Sequence, residues 1–283
     1  MPHGESWLSY FPGFKSLREW LHHSGEGFIF GEPVHAQHIA AMVLVVLVLM
    51  GLAIAARRDL KKAGDDILPD ARLSARTLVE LLMEGVLIVM QFAMPRAAAL
   101  RHFWLIGSLG FFILFSNLLG LIPGFLPPTE NFNTTLACAS TVFVYYNFYA
   151  FRKLGMGHIA HMANPTGEPW GWYLAPLMLL IEIISHCIRP VSLSVRLLCN
   201  IAGDHLVLSV FISIFAFLLP IPFMALGLFV AVVQTFIFLL LSSVYIGEVE
   251  AIIEHHLHQE VHSEAHHAPS GVRSTTQPEH ALS

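Results

Sequence analysis

Arg196 is a charged residue in the middle of apolar sequence, within the run SLSVRLLCN at residues 192–200. Between Leu154 and Val272 the only other lysine or arginine is Arg189. A charge at bilayer depth costs about 2.5–3.5 kcal/mol on insertion scales, and ionisable side chains kept there typically mark an ion path. Arginine does not release its proton, so Arg196 would act as a fixed cation that attracts carboxylates.

Polar residues recur at helical spacing on both sides of Arg196. At about 100° per residue, a continuous helix places on the face of Arg196 a set of small, polar or acidic residues: Glu182, Ser185, Ser192, Asn200 and Gly203. On the same helix Asp204 lies about 80° from that face and His205 about 180° from it. Carboxylates and imidazoles exchange protons and a guanidinium does not, so Arg196 would block direct proton passage between them.

A second set of polar residues occurs near the end of the apolar sequence. Gln234, Tyr245 and Glu248 fall within about 40° of one helix face. Intramembrane ionisable chains of this kind favour an ion path. The alternative is a structural polar network, in which Arg196 pairs with Glu182 or Asp204 and locks two helices together.

The composition indicates that the bilayer is the solvent of this chain. It is 55% hydrophobic and 12% charged, with a mean hydropathy of +0.64, whereas soluble domains are roughly 25% charged. The net charge of -5 argues against a nucleic-acid partner. Three cysteines without Cys-x-x-Cys spacing predict neither a disulfide framework nor a zinc site, and we expect no metal and no cofactor.

The hydropathy pattern predicts an all-α integral membrane fold of about five membrane helices plus an amphipathic surface helix at residues 72–94. The membrane helices are expected within residues 39–56, 102–122, 133–151, 172–219 and 221–253. The last two exceed the ~20 residues needed to span a bilayer, so we expect them to be strongly tilted or broken. Pro190 is a candidate kink in the first of them.

Three regions follow from this pattern: an interfacial segment at 1–37, a membrane domain at 38–255 and a disordered, histidine-rich tail at 256–283. Eight of the 15 lysines and arginines lie between Arg57 and Arg101. The positive-inside rule therefore predicts a cytoplasmic loop there, with the N-terminus outside and the C-terminus cytoplasmic. The N-terminal residues lack the pattern of a secretory signal.

Several motifs in order resemble subunit a of the F-type ATP synthase membrane sector, in a bacterial and somewhat chloroplast-like form. The resemblance covers most of residues 30–255. It rests on NLLGLIPGF at 117–125 with NTTL at 133–136, on PVSLSVRLLCNI at 190–201, and on Gln234 followed by FIF and by YIGE at 245–248.

The resemblance implies a proton-translocating stator subunit without catalytic activity of its own. Its partners would be a ring of c subunits, the b-subunit stalk and the remainder of the complex, in the bacterial inner membrane. Arg196 matches the arginine that separates two half-channels leading to the ring carboxylates. Asn200 and Gln234 match polar positions at the contact with the ring, and Glu182 matches an acidic channel position. Ser185, Ser192 and Tyr245 would line the channel or pack helices.

Two positions depart from the common pattern of that family. His205 stands where many bacterial members carry glutamate, and it is preceded by Asp204. Gly227 stands where a histidine or glutamate partner of Gln234 is frequent, so the acidity at the cytoplasmic mouth would come from Glu248.

Two other classes of function compete with this interpretation. A secondary transporter would show internal inverted repeats and broken helices, and the two halves of the chain differ in length and polarity. A membrane metalloenzyme would use histidines, but the paired ones lack ligand spacing: His22-His23, His255-His256 and His266-His267.

Overall fold

In the computed structural model, the described residues are helical apart from short turns. They are residues 36–63, 74–122, 125, 127–155, 157, 173, 175–214 and 220–267. The elements are α1 (Ala36–Ala63), α2 (Ala75–Gln91), α3 (Arg96–Gly120), a 3-10 turn (Pro128–Glu130), α4 (Phe132–Leu154), α5 (Ala175–Ile214) and α6 (Pro220–His267). The predicted all-α membrane fold is confirmed, and the predicted interfacial segment lies almost wholly outside the described residues.

Four of these helices are long and apolar enough to cross a membrane. Their candidate spans are His38–Lys61, Arg96–Gly120, Pro176–Cys199 and Met224–His255. The remaining predicted span, at residues 133–151, forms α4, whose 23 residues give about 35 Å of helix. α4 is long enough to cross a membrane, but its asparagines, threonines and tyrosines make it less apolar than the four candidate spans.

The two longest helices are continuous. α5 has 40 residues and α6 has 48, which correspond to about 60 Å and 72 Å of helix. The alternative of broken helices is therefore wrong. Pro190 lies inside α5, where it removes one backbone donor without ending the helix. α6 also runs to His267, so residues 256–267 are helical, unlike the disorder expected from their polarity.

Helix ends coincide with local signals in the sequence. The Ser74 hydroxyl accepts the Arg76 N–H at the start of α2 and donates to Asp59 of α1 at 2.8 Å. The Asn131 side chain accepts the Asn133 N–H at 2.9 Å and begins α4. Gly155, with a φ of 54°, ends α4 in a conformation that favours glycine. α2 and α4 begin and end within three residues of the predicted boundaries, whereas α3 begins six residues earlier than predicted.

The helices pack around one apolar core. α3 packs mainly on α6 and α4 mainly on α5, while α2 contacts α1, α3 and α6. The largest buried apolar side chains in this core are Met90, Ile106, Ile113, Tyr146, Leu197, Phe238 and Ile246. Outside the core, α1 exposes a row of apolar residues that includes Val43, Leu47 and Met50, as expected for a helix surrounded by lipid.

Two glycines bring α6 into close contact with the neighbouring helices. A Cβ on Gly247 of α6 would lie 2.5 Å from the Ala93 carbonyl oxygen, between α2 and α3. A Cβ on Gly110 of α3 would lie 2.5 Å from a methyl group of Leu239 on α6. The absence of a side chain at Gly247 is therefore what lets α6 contact backbone directly at this level.

We expect Gly247→Ala to lower the stability of the purified protein by about 1–3 kcal/mol, because the added methyl group overlaps a backbone oxygen. Gly51→Ala is the matched control, since nothing lies within 4 Å of a Cβ on Gly51 and alanine is the better helix former. Thermal unfolding in detergent measures both variants. Equal unfolding temperatures would contradict the close contact.

Candidate functional site

The rotation of α5 places Arg196 on an exposed face. Leu193, Ser194 and Leu197 are buried, and the Ser194 hydroxyl lies 2.9 Å from the Thr135 hydroxyl of α4 in a buried hydrogen bond. Arg196 lies on the other side of α5, together with exposed Ser192 and Gly203. The face that the sequence predicted is thus continuous, because α5 is unbroken from Ala175 to Ile214.

Arg196 forms no ion pair with any residue in the described part of the chain. Glu182, one of the two partners that the structural alternative offers for Arg196, instead has its Oε1 3.2 Å from Nε2 of His186, one turn along the same helix. The alternative of an Arg196–Glu182 pair is therefore wrong. The side chains of Asn200, Asp204 and His205 lie outside the described residues.

A cavity of about 360 Å³ lies between α5 and α6 next to the Arg196 turn. It is lined from α5 by Cys199 and Gly203, three and seven residues beyond Arg196. Gln234 lines it from α6 and is only 1% exposed. The cavity therefore brings together Gly203 and Gln234, which belong to the two helix faces predicted from the sequence.

Arg189 joins α5 to α6 two turns before Arg196. Its Nη1 donates to Glu248 Oε2 at 2.9 Å, and its guanidinium carbon lies 4.9 Å from the centre of the Tyr245 ring. Both partners belong to the second polar set predicted from the sequence. The sequence does not predict that Arg189 contacts both of them, although Arg189 is the only other arginine in that apolar region.

An aromatic side chain of α4 links this ion pair to Glu182. The Tyr146 hydroxyl lies 2.9 Å from His186 Nδ1, and the Tyr146 and Tyr245 rings are 6.0 Å apart. Tyr146 is 1% exposed and His186 is buried. Neither residue is predicted from the sequence, where the one available signal is that His186 follows Glu182 by a single helical turn.

The two serines predicted for this region are less buried than Tyr146 and His186. Ser185 is half-buried and Ser192 is exposed. Among the described residues, no three histidine, cysteine, aspartate or glutamate side chains converge as a metal site requires.

The turn after α3 is fixed to α6 by one asparagine. Asn117, which is 4% exposed, accepts the Thr129 hydroxyl at 3.2 Å and directs its amide to the Ala231 carbonyl oxygen at 3.5 Å. Ala231 lies one turn before Gln234 on α6. The family-like motif that begins at Asn117 therefore contacts α6 one turn before the motif that begins at Gln234.

Long apolar helices with paired ionisable side chains between them define an integral membrane protein of the ion-translocating class. The family model described as ATP synthase A chain matches residues 39–247. The chain therefore belongs to the ATP synthase subunit a family. It is a membrane-embedded, non-catalytic subunit of the proton-translocating sector of that complex.

Bacterial relatives match nearly the whole chain. ATP synthase subunit a of Sorangium cellulosum is 39% identical over 263 residues, which cover 90% of this chain and 100% of that relative. The Bdellovibrio bacteriovorus subunit is 40% identical over 212 residues, covering 74% and 90%. The Geobacter sulfurreducens subunit is 37% identical over 238 residues, covering 84% and 94%.

We expect Thr135→Val to destabilise the protein by about 1–3 kcal/mol, because it leaves the buried Ser194 hydroxyl without the partner that it has here. Thr141→Val is the matched control on the same helix, since the exposed Thr141 hydroxyl bonds to the Ala137 carbonyl oxygen of its own helix. Thermal unfolding compares the two variants. The interhelical bond would be unimportant if both behaved alike.

Proposed function

We propose that this chain forms two aqueous half-channels that lead protons to and from carboxylates on a rotating c-ring, with Arg196 separating them. Passage of protons would then be coupled to ring rotation and ATP synthesis. The observation that carries this proposal is the position of Arg196, an exposed cation on a membrane helix without an ion pair among the described residues. A cation so placed requires an anion from outside the described residues.

A moving carboxylate on a neighbouring subunit fits that requirement. Arg196 favours its ionised form on approach and cannot pass a proton between the two half-channels. The electrical part of the driving force is about 2.3 kcal/mol per charge per 100 mV. Contact with the c-ring would involve the exposed face of α5 that carries Ser192, Arg196 and Gly203.

The remaining predicted residues are assigned roles along this path. Gln234, in the cavity between α5 and α6, and Asn200 would line the contact with the ring. Asp204 and His205 would exchange protons on one side of Arg196. On the other side we assign that role to Glu182 and Glu248, with Ser185 and Tyr245 as neighbours. Their support is the chain of contacts that connects Glu182, His186, Tyr146, Tyr245, Arg189 and Glu248.

The distribution of basic residues supports one orientation in the bacterial inner membrane. Exposed cations lie near the C-terminal end of α1 (Arg57 and Arg58), at the N-terminus of α3 (Arg96) and at the C-terminal end of α4 (Arg152 and Lys153). Helices that alternate in direction bring these ends to one side, which the positive-inside rule assigns to the cytoplasm. The N-terminus would then lie outside and the C-terminus inside, where the b-subunit stalk would also attach.

Replacement of Arg196 by alanine should abolish ATP-driven proton pumping in membrane vesicles while the complex still assembles. Loss of the fixed cation removes both the attraction for the ring carboxylate and the barrier between the half-channels. Arg152→Ala, which removes an exposed cation at the end of α4, is the matched control and should pump normally. Normal coupled pumping by the Arg196→Ala complex would rule the proposal out.

Substitution of Glu248 by glutamine should slow pumping without preventing assembly, because the side chain can then no longer exchange a proton. Glu254→Gln changes another exposed glutamate of the same helix and should have little effect. Initial rates of vesicle acidification, normalised to the amount of assembled complex, measure both. Equal rates for the two variants would remove Glu248 from the path.

A further inference from the structure

His102 is a fully buried histidine at the junction of three helices. Its side chain on α3 is 0% exposed. Its Nε2 lies 2.7 Å from Oε1 of Glu250 on α6, and its Nδ1 lies 2.9 Å from the hydroxyl of Tyr145 on α4. The proposed half-channels use none of these three residues.

The same carboxylate oxygen connects the buried ring to the surface. Glu250 Oε1 also accepts the Tyr149 hydroxyl at 2.9 Å and Nη1 of Arg101 at 3.1 Å. The Arg101 side chain is 57% exposed, whereas that of Glu250 is 8% exposed. His102, Tyr145, Tyr149, Arg101 and Glu250 are called the His102 cluster below.

The two hydrogen bonds of the ring suit both of its protonation states. A carboxylate only accepts, so Nε2 carries a hydrogen and donates it to Glu250 in either state. A tyrosine hydroxyl both donates and accepts. It can therefore donate to Nδ1 of the neutral ring or accept from Nδ1–H of the protonated ring. The ring can gain a proton without losing either hydrogen bond.

We propose that the His102 cluster is a proton-binding site at the basic end of the helix bundle, separate from the Arg196 path. The Tyr145 hydroxyl transfers its hydrogen to Nδ1 and takes a replacement from a hydronium ion on the aqueous side, which leaves water. The bound proton changes the hydrogen bond between a neutral His102 ring and the Glu250 carboxylate into an ion pair. This pair joins α3 to α6, while Tyr145 and Tyr149 hold α4 to the same point.

The charged groups around the ring have opposite effects on its protonation. On α6, Glu250 is in direct contact and favours the protonated ring; on α3, Arg101 opposes it. From α4 the ring meets the tyrosines Tyr145 and Tyr149, whose rings lie 5.7 Å and 4.9 Å from it. Glu250 is the nearest of these groups to the ring.

Nitrogen NMR of the purified complex with isotope-labelled histidine tests this proposal directly. The His102 signals are identified by subtracting the spectrum of the His102→Gln complex. His186→Gln is the matched control, because it removes another buried ring and must leave the His102 signals in place. Across about pH 5–8, where histidine changes its charge, we expect Nδ1 to convert to the protonated form on acidification while Nε2 stays protonated.

Two variants identify the groups responsible. Glu250→Gln removes the nearest negative charge and should move the midpoint of the conversion to lower pH by about one to three units. Tyr145→Phe removes only the hydroxyl that accepts from the protonated ring, and it should move the midpoint in the same direction by less. The tyrosine variant keeps the test available if Glu250→Gln fails to assemble.

A ring that stays neutral throughout this range would overturn the proposal. A titration that neither variant shifts would overturn it as well, because protonation would then be independent of the cluster. The readout does not use proton pumping. Normal pumping by Arg196→Ala would therefore refute the half-channel function without affecting the His102 proposal. A His102 ring that stays neutral would refute the His102 proposal without affecting the half-channel function.

Discussion

The rotation of α5 about its own axis is the constraint on which the functional region depends. Buried Leu193 and Leu197 and the Ser194–Thr135 hydrogen bond fix one side of the helix against α4. The opposite side then exposes Arg196, while Arg189 two turns earlier is held by Glu248. In a low-dielectric surrounding a cation needs an anion close by. Arg189 therefore has its partner within the chain, whereas Arg196 has no ion pair among the residues whose side chains the structure describes.

α6 imposes a second constraint through two glutamates with opposite directions. Glu248 and Glu250 are two residues apart, which is about 200° on a helix, so they lie on different sides of α6. One meets Arg189 on α5, and the other meets His102 on α3. The contact of Gly247 with the Ala93 carbonyl oxygen lies between them. α6 is thus fixed from both sides in register and rotation around residues 247–250, and this also fixes where Gln234 faces α5.

Much of the fold was predictable, because a bilayer reduces the options to helices whose apolar length matches its thickness. The helix type, the order of elements and the boundaries near Ser74, Asn131 and Gly155 follow from hydropathy and capping residues. The continuity of α5 through Pro190 did not follow, since neighbouring helices determine whether a proline interrupts a helix. The helical extension to His267 did not follow either, because the polar composition of residues 256–267 predicts disorder and not a helix.

The sequence by itself determined that this is a helical membrane protein, which residues carry charge at bilayer depth, and which of them share a helix face. Those properties depend on composition and on a fixed rotation of about 100° per residue. Only the tertiary structure decided the partners: Glu182 with His186, Arg189 with Glu248, and His102 with Glu250. Hydrogen bonds and ion pairs require atoms within a few ångströms. Residues 148 positions apart in the chain meet only when three helices pack together.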